Sequence, residues 1–233
     1  MARVVAARKE PALNDNAHRD QPRRLRRLGL LLIAVGAVTG IGLGIVAHLA
    51  AGGRDEGRLA LPALHGQASW SPGEKRAPAV RLRDHNGAFV SLAALRDHPV
   101  LLTFFDSACE EQCPLMGRQL GTMLRRMPPA DRPALLIVSV NPTGDTPASI
   151  RRAMANWRLS GPWRWHWLRG TKPELAAVWR AYGITVEPGT NDIMHGLALY
   201  LIDRRGFERT GYLFPFLPNF VALDLRALGR ERA

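Results

Sequence analysis

Two cysteines, Cys109 and Cys113, lie four residues apart and are the only cysteines in the chain. A disulfide across so short a loop removes little entropy from the unfolded chain, so stabilisation of the fold does not explain the pair. Close thiols of this kind serve thiol–disulfide exchange or bind a soft metal ion. Both reactions use the thiolate, and the pair alone does not distinguish them.

The residue after the pair indicates where the next helix begins. If the helix began at Cys109, Pro114 would lie in its interior and clash with the carbonyl group of Glu110. The sequence therefore predicts a helix that starts at Pro114, with Cys113 as its cap and Cys109 on the preceding loop. Both sulfurs then lie near a helix N-terminus, where the helix dipole favours the thiolate.

The spacing of the cysteines favours metal binding over exchange. Thiol oxidoreductases usually carry two residues between their cysteines, and the three found here leave more room for two thiolates to hold one ion. Two sulfurs suit Cu(I), and an added imidazole would also suit Cu(II). A structural zinc site usually needs a fourth protein ligand, and the sequence has no third cysteine and no paired histidines to supply one.

Strand-like and helix-like segments alternate around the cysteines. Apolar or alternating runs predict seven strands, at residues 79–82, 88–92, 99–105, 133–140, 163–167, 197–202 and 208–214. Helical spacing, N-terminal proline or an Asn cap predict four helices, at residues 114–127, 147–157, 173–182 and 219–228. This order predicts an α/β fold, a central mixed sheet flanked by helices. The cysteines follow a buried strand and lead into a helix, which is the thioredoxin-like arrangement.

Seven histidines compete to be a third ligand. His18 lies in the tail, His48 at the end of the apolar run and His65 in the linker. His85 lies in a turn, His98 in a loop and His166 on a strand predicted to face solvent. His195 ends a loop directly before the strand-like run at 197–202. In a thioredoxin-like fold the residue that enters this strand approaches the cysteine loop, so we predict His195 as the third ligand.

A run of twenty uncharged residues, from Leu28 to Ala47, precedes the domain. It is long enough to cross a hydrocarbon core of ~30 Å, and it has no polar face of the kind that a soluble helix shows. A cleaved signal peptide would have a shorter apolar region and a better cleavage site, so we predict an uncleaved anchor. Eight Lys and Arg residues precede the run and two follow within twenty residues, which predicts that the N-terminus is cytoplasmic.

These patterns predict a cytoplasmic basic tail over 1–27, a transmembrane anchor over 28–48, a linker over 49–77 and a thioredoxin-like domain over 78–233. The net charge of +12 is densest in the tail, and the chain has no zinc-finger spacing or helix-turn-helix pattern, so we expect no nucleic-acid partner. The short N-terminus contains acidic residues, which favours a bacterial inner membrane with a periplasmic domain over the mitochondrial inner membrane.

Four motifs in this order resemble the Sco/SenC family of copper chaperones for cytochrome c oxidase. They are C-x-x-x-C-P after an apolar strand, SVNPTGDTP, YGI and HGLALYLIDRRG, and together they span roughly residues 78–229. The resemblance implies copper bound by Cys109, Cys113 and His195, and delivery to or maturation of the dinuclear copper centre of oxidase subunit II. It also implies a copper donor chaperone and a thioredoxin-like reductant as partners.

Two positions depart from the family pattern. The family usually has Asp directly before the histidine, whereas Met194 stands there and Asp192 lies two residues further back. Asn141 stands where Asp is common, although Asp145 is kept. These changes leave the three implied ligands in place and affect the residues expected to tune His195.

Three other functions fit parts of the pattern. A thiol–disulfide oxidoreductase would use Cys109 and Cys113 as a redox-active disulfide, and this is the main alternative to a chaperone without turnover. A peroxiredoxin would need a proline before its cysteine, which Phe104 to Ala108 do not supply. A copper or redox sensor would need a signalling module, and none is recognisable. Met116 and Met123 have helical spacing and are expected in the core.

Overall fold

A computed structural model of the chain describes residues 64–96, 98–188 and 193–231. The predicted tail, the predicted anchor and most of the predicted linker lie outside these residues. Among the helices that the structure describes, none is long and apolar enough to cross a membrane.

The centre of the domain is a parallel pair of buried strands. Strands β4 (Val100–Phe105) and β5 (Ala134–Ser139) are buried along their whole length and pair in parallel, with Phe105 opposite Ser139. Continuous apolar runs form such strands because both of their faces are covered by other elements. Strand β6 (Trp165–Arg169) pairs in parallel with β5 on the far side.

Antiparallel strands extend this core on both sides. The further strands of the described residues are β1 (Ala68–Ser69), β2 (Arg81–Asp84), β3 (Phe89–Ser91), β9 (Ala198–Ile202) and β10 (Glu208–Leu213). The strand order in the eight-stranded sheet is β1-β10-β9-β4-β5-β6-β2-β3. Two more strands, β7 (Val186–Pro188) and β8 (Ile193–His195), form a separate antiparallel pair.

Helices cover both faces of the sheet. They are α1 (Gln112–Arg126), α2 (Pro147–Asn156), α3 (Lys172–Ala181) and α4 (Pro218–Arg230). Side chains of α1, α2 and α4 pack into one core cluster with Leu101 and Phe105, and those of α3 pack into a second with Leu102 and Phe104. Alternate residues of β4 therefore face opposite helix layers, as the two-residue period of a strand requires. The predicted mixed α/β sheet flanked by helices is confirmed.

Proline and capping residues set the helix starts largely as predicted. Pro147 is the first residue of α2, and Thr146 caps it by accepting a hydrogen bond from the backbone N–H of Ser149. The prediction of an Asn cap for the last helix was wrong: α4 begins at Pro218, the preceding Leu217 is its cap residue, and Asn219 lies inside the helix. Proline is favoured at this first position because its missing N–H has no acceptor there.

Helix α1 begins earlier than the sequence predicts. Its first residue is Gln112 rather than Pro114, so Cys113 is helical and Pro114 is third in the helix. The first-turn N–H groups of a helix have no intrahelical acceptor, so a proline in the third position breaks no hydrogen bond. Glu110, whose carbonyl group a helical proline would meet, lies outside the helix.

The last residues of the predicted linker, from 64 onward, are part of the domain. Strand β1 pairs with β10, and the ring of His65 lies 2.6 Å from the buried carboxylate of Asp224 on α4 (Nδ1 to Oδ1). The same ring stacks on Phe220. Residues 64–77 were predicted as linker because they lack hydrophobic periodicity, and their partners lie some 140–160 residues away, which no local pattern reveals.

Candidate metal centre

The loop that carries Cys109 emerges from the centre of the sheet. Strand β4 ends at Phe105, and Asp106 turns the chain immediately afterwards. The side chain of Asp106 accepts a hydrogen bond from the backbone N–H of Ala108 (2.8 Å), and its carbonyl oxygen accepts one from the N–H of Cys109 (3.2 Å). Asp residues commonly stabilise turns in this way. Asp106 therefore fixes the backbone that presents the first sulfur.

Cys113 lies in the first turn of α1, where its side chain is buried while Cys109 is partly exposed. The backbone N–H of Cys113 donates a hydrogen bond to the sulfur of Cys109 at 3.4 Å. A sulfur that receives an N–H at a helix N-terminus is stabilised as the thiolate. The prediction that both sulfurs lie at this helix N-terminus is confirmed, although Cys113 is inside the helix rather than its cap.

The two sulfurs have different electrostatic environments. Hydrogen bonding to the Cys109 side chain, burial, and the charge on Cys109 all raise the pKa of the Cys113 thiol, the hydrogen bond most strongly. Two adjacent thiols resist holding two negative charges, as any pair of like groups does. Without a bound cation the thiol form of Cys113 is therefore favoured, and a bound cation would stabilise its thiolate through its charge.

His195 reaches the site from the opposite side, on the separate β7–β8 hairpin. Its Nε2 lies 3.5 Å from the sulfur of Cys113, and its Nδ1 lies 3.1 Å from the carbonyl oxygen of Gly196. A carbonyl oxygen only accepts, so Nδ1 carries the proton in this contact. Nε2 then directs its lone pair towards Cys113, as a metal-binding imidazole would. The structure thus brings His195 to the cysteines, at the end of a short strand rather than of a loop.

All three predicted ligands border one small pocket of about 170 Å³. Its lining residues are Cys109, Glu111, Gln112, Cys113, Ile193, Met194, His195 and Leu197. Organic ligands usually occupy pockets of roughly 300–1,000 Å³, so this one is better matched to an ion. A larger groove of about 690 Å³ lies between α1 and α4, but neither cysteine lines it.

Two sulfurs and one imidazole nitrogen form a donor set that copper prefers, so the chemistry of these three side chains is compatible with a copper ion. The described part of the chain contains no group of three His, Cys, Asp or Glu side chains already gathered closely enough to hold a metal ion. The contacts present instead join Cys113 to His195, and the Cys109 sulfur to a backbone amide. The residue types fit copper, and all three line the same pocket.

Polar residues beneath the loop were only partly identified from the sequence. Asp145 is buried and accepts hydrogen bonds from the backbone N–H of Ser107 (2.8 Å) and from the indole N–H of Trp167 (3.1 Å). Asn141 donates a hydrogen bond to Asp106 at 3.0 Å. Asn141 and Asp145 stand in a motif that the sequence identifies, but Asp106 was missed. Its signal was a charged residue directly after a buried strand.

The other histidines in the described residues lie away from the sulfurs. His85 is buried and stacks on Trp165, which differs from the surface position expected of a turn residue. His166 does not simply face solvent, since its Nδ1 lies 3.0 Å from Asp84. His98 lies in an exposed loop before β4. His18 and His48 lie outside the described residues. Met116 and Met123 are in the core, as predicted.

A mixed sheet flanked by helices, with two cysteines between a central strand and a helix and a histidine facing them, defines a thioredoxin-like protein. The family model described as SCO1/SenC matches residues 71–224, which is more than half of the chain. The chain therefore belongs to the SCO1/SenC family. Comparison with curated protein sequences gave no match.

Several solved structures are similar to this chain. Copper-bound ScoI of Bradyrhizobium japonicum is 27% identical, with a TM-score of 0.56, over 65% of this chain and 98% of that chain. BsSco, described with a disulfide switch as a member of the Sco family of cytochrome c oxidase assembly proteins, is 20% identical, with a TM-score of 0.60, over 71% and 100%. Copper-bound yeast Sco1 is 19% identical, with a TM-score of 0.55, over 65% and 86%. The last two likenesses bear on the fold alone.

Proposed function

We propose that this chain is a membrane-anchored copper metallochaperone that assists assembly of the dinuclear copper centre of cytochrome c oxidase subunit II. Copper is its cargo, held by Cys109, Cys113 and His195. The observation that carries the proposal is the shared pocket, in which the Cys113 sulfur lies 3.5 Å from His195 Nε2 and the Cys109 sulfur meets the α1 N-terminus. The copper-bound structure of Bradyrhizobium japonicum ScoI supports it.

The donor set suits a protein that accepts and releases its metal. Two thiolates alone can hold Cu(I), and the imidazole of His195 adds a third donor that Cu(II) needs more. Cys109 and His195 are both partly exposed, so an acceptor protein can reach the ion from the open side of the pocket. The copper donor is expected to be another chaperone, and the acceptor to carry similar soft ligands.

The site works as a chaperone only while its cysteines are reduced, because thiols and not disulfides are metal ligands. We propose that Cys109 and Cys113 form a reversible disulfide. Its formation would pass two electrons and two protons to an oxidised disulfide partner, and a thioredoxin-like reductant would return them. The structure holds both cysteines without a disulfide between them.

A second candidate function is thiol–disulfide exchange, which would keep the cysteines of the oxidase reduced. The observation that favours it is the asymmetry of the pair: Cys109 is partly exposed and receives the Cys113 N–H, while Cys113 is buried behind it. Nucleophilic exchange uses one exposed thiolate and one buried resolving thiol. The same residues serve both functions, and only the role of His195 separates them.

The metal proposal is tested on the reduced, full-length chain in detergent without oxygen. We expect one copper per chain, bound by two sulfurs and one nitrogen in X-ray absorption spectra. The same protein oxidised to the disulfide should take up no stoichiometric copper. Equal uptake by oxidised and reduced protein would show that the cysteines are not the site.

We also propose that residues 49–233 lie outside the cytoplasm, in the periplasm of a bacterial inner membrane. The support is the uncharged run from Leu28 to Ala47 and the excess of Lys and Arg before it. Alkaline phosphatase fused after Ala233 should be active, and a cytoplasmic reporter at the same position inactive. The opposite pattern would place the metal centre on the wrong side for this function.

A further inference from the structure

Asn141 lies where its side chain can fix the conformation of the loop that carries Cys109. It follows Val140, the first residue after β5, and lies next to the end of β4, because the two strands pair in parallel and the N–H of Val140 donates to the carbonyl of Phe105 at 3.0 Å. Its side-chain N–H donates to the carboxylate of Asp106 at 3.0 Å. Its side-chain oxygen accepts a hydrogen bond from the N–H of Gly144 at 2.7 Å.

The same carboxylate oxygen of Asp106 binds the cysteine loop. It accepts the N–H of Ala108 at 2.8 Å, and the carbonyl of Asp106 accepts the N–H of Cys109. Asp106 is only 2% exposed, so its orientation depends on these protein partners rather than on water. An amide that holds Asp106 therefore holds the turn that presents the first sulfur.

Gly144 shows that this amide is closely fitted. A Cβ atom at Gly144 would lie 2.3 Å from the side-chain nitrogen of Asn141 and 2.9 Å from its oxygen. Any larger residue at 144 would displace the amide from Asp106. The turn after β5 is thus shaped around the Asn141 side chain.

The contact with Asp106 requires a hydrogen-bond donor at residue 141, and not only a side chain of the right size. Asp106 is an acceptor when ionised, and Asn141 is the donor that faces it. A carboxylate at 141 would put a second acceptor at the same 3.0 Å, and two like charges so close repel each other. Because the same oxygen of Asp106 also accepts the N–H of Ala108, both contacts require an acceptor at 106 and a donor at 141.

We propose that Asn141 is a positioning residue for the metal centre: through Asp106 it fixes the loop that carries Cys109. This inference rests on the proposed function for its copper readout, but not for its effect on the loop itself. Outer residues that orient metal ligands typically change metal affinity ~10–100-fold when they are removed. Loosening the loop should also open access to Cys113, which is buried beneath it.

The test uses the full-length, reduced chain at pH 8, with two readouts. The first is the alkylation rate of Cys113 by iodoacetamide without metal, followed by mass spectrometry. The second is copper affinity together with the sulfur-to-Cu(II) charge-transfer spectrum. Asn141→Ala should raise the alkylation rate about tenfold, weaken copper binding ~10–100-fold and shift the spectrum. Gly144→Ala should act in the same direction.

Two comparisons separate positioning from a general loss of stability. Thr143→Ala is the matched control, because the Thr143 hydroxyl also bonds to the Asn141 oxygen (3.3 Å) but not to Asp106. It should stay within about twofold of wild type in both readouts. Asn141→Asp should weaken copper binding about tenfold. Gly144→Ala keeps Asn141 but displaces its side-chain amide, and this variant decides the question if Asn141→Ala does not fold.

The outcomes distinguish this inference from the proposed function. If wild type binds no copper but Asn141→Ala still raises Cys113 alkylation, the positioning role stands and the chaperone function fails. If wild type binds copper and Asn141→Ala leaves both readouts unchanged, the positioning role is wrong and the proposed function stands. Wild-type values of both readouts in Gly144→Ala and in Asn141→Asp would also overturn the inference.

Discussion

The two walls of the metal pocket are built differently. The cysteine wall joins the central strand β4 to α1, and buried Asp106 and Asp145 hold its loop by hydrogen bonds to backbone N–H groups. The histidine wall is the β7–β8 hairpin, whose three-residue strands pair only with each other. There Met194 is 71% exposed, beside His195. The cysteine wall is part of the core of the domain, and we call it the rigid wall. The histidine wall lies at the surface of the domain, and we call it the surface wall.

This difference suggests how a copper site can bind and yet release its ion. The rigid wall supplies two sulfurs in a fixed place, so the main affinity does not depend on rearrangement of the protein. The surface wall supplies the proposed third ligand from a short hairpin, whose Val186 and Ile193 are only partly buried against the core. We propose that binding strength comes from the cysteines, while His195 adjusts the preference between oxidation states. The predictions below test this division.

The largest effect should follow removal of either sulfur. In structural zinc sites about 10–16 kcal/mol is shared among four ligands, so one lost ligand costs on the order of 3 kcal/mol, or a hundredfold or more in affinity. Cys109→Ala and Cys113→Ala should each abolish tight copper binding in a competition titration with a chromophoric chelator. Tight binding by either variant would mean that the rigid wall is not the main source of affinity.

Removing a carboxylate that supports the rigid wall should change its stability in a pH-dependent way. Burial raises the pKa of Asp145 to about 6, above its ordinary value of 3.8, so folding favours the protonated form. The free energy of unfolding should therefore fall as the pH rises from about 4 to about 6, by about 3 kcal/mol for this group. The free energy of unfolding of Asp145→Asn, measured by urea titration, should lack this pH-dependent decrease.

The stability difference between wild type and Asp145→Asn should therefore change with pH. A stability difference between the two proteins that does not change between pH 4 and pH 7 would contradict the assigned protonation of Asp145.

The smallest effect is expected on the surface wall. Met194→Ala should change the free energy of unfolding by less than about 0.5 kcal/mol, because its side chain is largely in solvent. Met116→Ala, on the rigid wall, is the matched control, and it should cost about 2–5 kcal/mol because that methionine is fully buried. Similar costs for the two methionines would remove the distinction between the walls.

The rigid wall could be predicted largely from the sequence, because local signals specify it. The apolar runs of β4 and β5 were long enough to indicate buried strands, and proline marked the starts of α2 and α3. Pro114 indicated a helix N-terminus beside both cysteines, and the observed helix begins two residues earlier, at Gln112. These features depend on neighbouring residues, so the sequence alone contains the information.

The surface wall and the domain edge could not be predicted in the same way. The strands of β7–β8 are three residues each and show no clear alternation, so His195 was expected at the end of a loop. The ordered position of His65 depends on Asp224, a buried carboxylate 159 residues away. The contact between Asn141 and Asp106 likewise requires two parallel strands to end side by side. Such pairings become visible only when the chain is folded.

His195→Ala in the reduced full-length chain tests the central claim most directly, because only a chaperone uses this residue as a ligand. The variant should bind Cu(II) at least tenfold more weakly, with a smaller loss for Cu(I), while His98→Ala and His166→Ala behave as wild type. Disulfide exchange by Cys109 and Cys113 should be little affected. If His195→Ala left copper affinity and stoichiometry for both ions unchanged while the cysteine variants lost exchange, the protein would be a thiol–disulfide oxidoreductase rather than a copper chaperone.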